Sequence, residues 1–96
     1  MPQSSATVQT QHGSLYISRL CKHWSHRFAV SQTDAEGRID FGDQQHCVLQ
    51  AVADGIRMQI HAPDRETLES LERVVVDHLS RMANHDKPSD AVWVRS

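Results

Sequence analysis

The stretch "HCVLQAVADGIRMQIHA", His46 to Ala62, decides the fold. Two alternating runs, "HCVLQAVA" and "IRMQIHA", flank Asp54-Gly55, a dipeptide suited to the type I′ hairpin turn because both of its central residues need positive φ. With Asp54 and Gly55 as the loop, Ala53 faces Ile56, Ala51 faces Met58 and Leu49 faces Ile60, which makes one face of the hairpin apolar throughout. The other face carries Val48, Gln50 and Val52 against His61, Gln59 and Arg57, the half-polar pattern of an antiparallel sheet covered on one side only.

The covering helices lie on either side. Downstream, "APDRETLESLERVVVDHLSRMANH" places Leu68, Leu71, Val75, Leu79 and Met82 on one stripe. Glu66, Glu69, Arg73, Asp77 and Ser80 face away, and Asp64 after Pro63 is the expected N-cap. Upstream, "LYISRLCKHWSHR" after a Ser14 N-cap aligns Tyr16, Ile17, Leu20, Cys21 and Trp24 at helical spacing. Between this helix and the central hairpin, "FAVSQT" and "RIDFG" form a second hairpin around "DAEG", with Gly37 as the residue expected at positive φ. "SATVQT" reads as a short edge strand and "AVWVR" as a closing one. The expected class is α+β, an antiparallel sheet of four to six strands with two helices packed on one face, in the order β-α-β-β-β-β-α-β.

With 96 residues the chain is read as one domain, 1–96, whose small core dimerisation would reinforce. Ten basic against twelve acidic residues give a formal charge of −2, which provides no electrostatic footprint for nucleic acid or anionic lipid. "MPQSSATVQTQHGS" has neither the basic nor the apolar region of a signal peptide, and no run is long enough to span a bilayer, so a cytoplasmic setting is expected. Cys21 and Cys47 are then reduced thiols, and their spacing matches no redox or zinc motif.

Seven histidines are the unusual feature. In "LCKHWSH", Leu20 to His26, helical geometry puts Cys21 and His23 on opposite flanks of the apolar stripe, so "Cys-Lys-His" is not a chelate. His23 and His26, at i and i+3, are separated by roughly 60° and can address one ion or anion. His78 falls on the inward face of the second helix among Leu71, Val74, Val75 and Met82, where it needs a polar partner or a site shared with the first helix. His12, in the turn before the first helix, can close on the same place. His46, His61 and His85 lie at element ends and are read as surface. Trp24 and Tyr16 are the candidate contacts for an organic ligand.

The order and spacing of "LCKHWSH", "GRIDFG", "CVLQA", "LERVVVDHLSRMA" and "VWV" resemble the bacterial family catalogued as domain of unknown function 2218. The likeness runs over nearly the whole chain, with Leu20, His23, Trp24, His26 and His78-Leu79-x-Arg81 as its most specific pieces. "QTQH" stands where Thr-Pro-His is expected, and Met82 where an aromatic is common. Members look like small cytoplasmic proteins linked to siderophore-interacting flavoprotein reductases, so the resemblance implies iron handling without naming an activity.

Three functional classes follow. One is a transition-metal or iron-chelate binding module using His23, His26, His78 and His12, with a siderophore-interacting reductase as partner; imidazole alone does not choose among zinc, copper, iron and nickel. The second is a homodimerisation or interaction module with structural histidines. The third is an enzyme with a histidine general base near Tyr16 or Cys21, disfavoured by the missing orienting carboxylate.

Overall fold

In the computed structural model, which describes residues 2–84 and 86–96, the hairpin of the opening stretch is β4 (Gln45–Val52) and β5 (Gly55–His61). Around it run β1 (Gln3–Gln9), α1 (Gly13–Trp24), β2 (Ala29–Gln32), β3 (Glu36–Gly42), α2 (Arg65–Met82) and β6 (Val94–Arg95). The six strands form one sheet, ordered β2-β3-β4-β5-β1-β6, with every neighbouring pair antiparallel. Class and element order are those expected.

The hairpin register differs from the expected one by two residues. Val52 pairs with Gly55, Leu49 with Met58 and Cys47 with Ile60, so the loop is Ala53-Asp54. A slip of two preserves the side-chain alternation. Cys47, Leu49, Ile56, Met58 and Ile60 therefore keep the inward face and are all fully buried. Gly55 serves close approach rather than a turn: a Cβ there would lie 1.9 Å from the carbonyl oxygen of Val8 on β1. Gly37 likewise has no positive φ, and a Cβ there would meet Cys21 Sγ at 2.4 Å, because α1 lies directly on β3 at this point. Positive φ is found instead at Gly42, Asp43 and Gln44, in the β3–β4 turn. The register passes from Asp40↔His46 to Gly42↔Gln45, leaving Phe41 as an extra residue in a bulge.

Two further expectations are corrected. β1 is an interior strand between β5 and β6, not an edge. Helix α1 starts at Gly13 with His12 at the N-cap position, where Ser14 was expected to cap it, and it ends at Trp24. His26 thus lies past the helix, and His85 lies outside the described residues.

Both helices cover the inward face. Helix α1 buries Tyr16, Ile17, Leu20, Cys21 and Trp24, and α2 buries Leu68, Leu71, Val75 and Leu79, with Met82 packed against the same core. Asp64 caps α2 as expected, accepting the Thr67 N–H at 2.7 Å. The stripe on α2 also carries Glu72, whose buried carboxylate receives Arg95 of β6 in a two-point contact, Nε to Oε2 at 3.0 Å and Nη2 to Oε1 at 2.7 Å. Burial alone would push the Glu72 carboxyl up; the Arg95 hydrogen bonds and the charges of Arg95 and Arg65 more than reverse this and leave it below the usual range.

The segment after α2 returns across the sheet edge. Ser89 exchanges hydrogen bonds with the Gln9 backbone, and Asp86 accepts from Thr10 Oγ1 (2.6 Å), the Gln11 N–H (2.9 Å) and the Tyr16 hydroxyl (2.8 Å). These donors, Thr10 foremost, hold the Asp86 carboxyl down at about 2. On the helix-free face, His46 and His61 stand opposite one another across β4–β5 with stacked rings 4.4 Å apart. Partial burial, then His61 and Arg38, hold the His46 imidazole below its ordinary value against the opposing pull of Asp40. Among the described residues, no helix is long and apolar enough to cross a membrane.

Candidate functional site

The C-terminal end of α1 packs against the stretch of α2 that carries Leu71, Val74 and His78, near the β3–β4 turn, and a groove of about 680 Å³ opens there. Its aromatic wall is assembled from three elements. Trp24, the last residue of α1, is buried and meets Phe41 edge to face at 5.4 Å; Phe28, just before β2, meets Phe41 edge to face at 4.9 Å. These are favourable geometries for aromatic quadrupoles. Phe41 shares the inward parity of Ile39, and the bulge at the end of β3 lies at this residue.

His78 closes the other side. Its ring lies 5.2 Å from Trp24 and 5.4 Å from His23, centroid to centroid. Nδ1 is 2.8 Å from the Val74 carbonyl oxygen. A carbonyl only accepts, so Nδ1 carries the proton of that bond, and Nε2, turned away from its own helix backbone, is the nitrogen left for other partners. This is the arrangement in which a histidine is oriented for ligation or for hydrogen bonding to a bound group. His78 of the second helix and His23 of the first are thus neighbours in the groove.

The remaining candidates separate. His26 is exposed and lines the groove from the turn after α1, not from the helical i+3 position. His12 caps the opposite end of α1, roughly 16 Å from His23 at 1.5 Å per residue, and packs on Tyr16. Tyr16 is fully buried with its hydroxyl donating to Asp86 and accepting the Asp86 N–H, so it clamps the C-terminal segment instead of facing a ligand. The four histidines do not converge: among the described residues, no group of three or more His, Cys, Asp or Glu is placed to hold a metal ion. Cys21 is buried against Gly37, away from both imidazoles of the groove.

Sequence reasoning missed Phe28, Phe41 and Arg27. Among the described residues, Arg27 at the rim has no ion-pair partner and no carboxylate lines the groove. Lys22 and His23 in the last turn of α1 sit where the helix dipole favours cations. The groove therefore combines an aromatic wall, two imidazoles from different helices and the Arg27 guanidinium.

A bacterial family described as an uncharacterised protein conserved in bacteria, DUF2218, matches residues 5–94. The chain belongs to this family. A similar solved structure is the NMR structure of PA4090 from Pseudomonas aeruginosa, at 40% identity, covering 98% of this chain and 96% of that one with a TM-score of 0.81. Comparison with curated proteins returns no match.

Proposed function

We propose that this protein is a binding module for a planar, anionic aromatic ligand, with a transition-metal chelate of the ferric catecholate kind as the leading class. The observation that carries the reading is the meeting, in one open groove, of the Trp24–Phe28–Phe41 wall with His23, His78 and Arg27, without a carboxylate among the lining residues. Aromatic side chains favour contact with planar rings, and the Arg27 guanidinium favours negative charge. Two imidazoles suit zinc, copper, iron or nickel but leave most of a coordination sphere to be filled, which fits a metal arriving with its own chelating ligand better than a bare ion. The partner that goes with this class is a siderophore-interacting flavoprotein reductase, in the bacterial cytoplasm. Enzymatic use fits less well, since among the described residues no Ser, Thr, Cys or carboxylate lines the groove and His78 is oriented by a backbone carbonyl.

The test is Trp24 fluorescence in a Trp93→Phe background, titrated separately with ferric catecholate, catecholate alone, and iron or zinc alone. The expected result is saturable quenching by the chelate, weakened by about tenfold or more in His78→Ala and His23→Ala with an unchanged circular dichroism spectrum. Equal affinity in both variants, or no saturable quenching, overturns the reading.

A further inference from the structure

Away from the groove, on the helix-free face of the sheet, we propose a second site: His46 and His61 together bind one borderline divalent transition-metal ion, Cu²⁺, Ni²⁺ or Zn²⁺. The two residues are direct register partners across β4 and β5, with ring centroids 4.4 Å apart and planes within 17°. Imidazole nitrogens sit about 2.0–2.1 Å from such an ion, so two of them on one metal are roughly 3–3.5 Å apart. The 4.4 Å separates ring centroids, and nearly parallel rings direct their nitrogen lone pairs side by side; rotation about the broad χ2 torsions is what turns one nitrogen of each ring toward a shared ion. Both side chains stand on paired interior strands, whose backbone holds them in place without help from a loop.

The surroundings have mixed charge. Asp40 of β3 is the register partner of His46 in the same transverse row, its carboxylate fixed by the Gly42 N–H at 2.9 Å, and it offsets the charge of an ion. Arg38, two residues earlier on β3, works against it. Because no three donors converge among the described residues, water completes the coordination, and oxygen-seeking Ca²⁺ and Mg²⁺ are excluded by the donor type. Neither histidine lines the groove, so the two sites are separable.

The experiment uses the His23→Ala/His78→Ala double variant, titrated with Ni²⁺ near pH ~7.5, where free imidazole is mostly neutral. Calorimetry reads the stoichiometry, and amide NMR line broadening reads the location. One equivalent bound, with broadening centred on His46 and His61, is expected. Adding His46→Ala weakens binding by about tenfold or more. His61→Phe, which retains a stacked ring but removes the nitrogens, does the same and guards against a merely structural effect. No saturable binding in the double variant, or affinity unchanged by either added substitution, overturns the proposal.

Discussion

Gly55 shows how one residue's function differs from its chemical reputation. Its Asp-Gly context invites a turn reading, yet the backbone there is strand, and what matters is the carbonyl of Val8 occupying the place of a side chain. Gly55→Ala must force β1 and β5 apart and is expected to cost about 3 kcal/mol or more. Gly42→Ala, at φ +84 but with open space around it, should cost only about 1 kcal/mol. Urea denaturation of the two variants checks the ordering, and a larger loss at Gly42 would show that backbone strain outweighs packing here. His78 follows the same logic. Its place on an apolar stripe demanded a polar partner, and the Val74 carbonyl supplies one while leaving the second nitrogen for the groove.

At the scale of elements, periodicity alone identified both helices and their buried faces, because a stripe of apolar residues has no other stable use. It did not show where α1 stops: "SHR" continues the helical spacing, while the backbone turns after Trp24 and carries His26 out of the helix. Nor did it show the groove's wall, since Phe28 and Phe41 meet Trp24 only through the packing of α1 on the β2–β3 hairpin and the bulge at the end of β3. Glu72 was similarly hidden, its partner Arg95 lying 23 residues away on a two-residue strand. The segment carrying Asp86 ties the start of α1 to the end of the chain, and its carboxyl, held at about 2, makes that tie pH-dependent. A group depressed in the folded state stabilises fully above its unfolded value of about 3.9 and loses that contribution as pH falls through the folded value. The stability difference between wild type and Asp86→Asn is therefore expected to be largest above about pH 5 and to shrink toward pH ~2 in thermal melts. A difference that stays constant over this range would assign the tie to the neutral hydrogen bonds alone.

For the whole molecule, the consequential feature is the pairing of β1 with β6. The Gln3 N–H reaches the Ser96 carbonyl at 3.3 Å, and the Ser96 N–H reaches the Gln3 carbonyl at 2.9 Å. Gln3 and Ser96 are thus neighbours on one edge of the sheet, while Phe41 and the groove lie toward the β2–β3 edge. A circular permutant joining the two through about 4–6 linker residues, opened between Asp43 and Gln44, is expected to fold to the same sheet. Its amide NMR spectrum checks this, and loss of the β1–β5 resonances would show that chain order, not strand pairing, governs assembly. The geometry also has an architectural meaning. Polypeptide appended at either position would emerge beside the other, on the flank remote from the aromatic wall, so this fold can be carried as a cassette within a larger assembly with its groove still open to ligand.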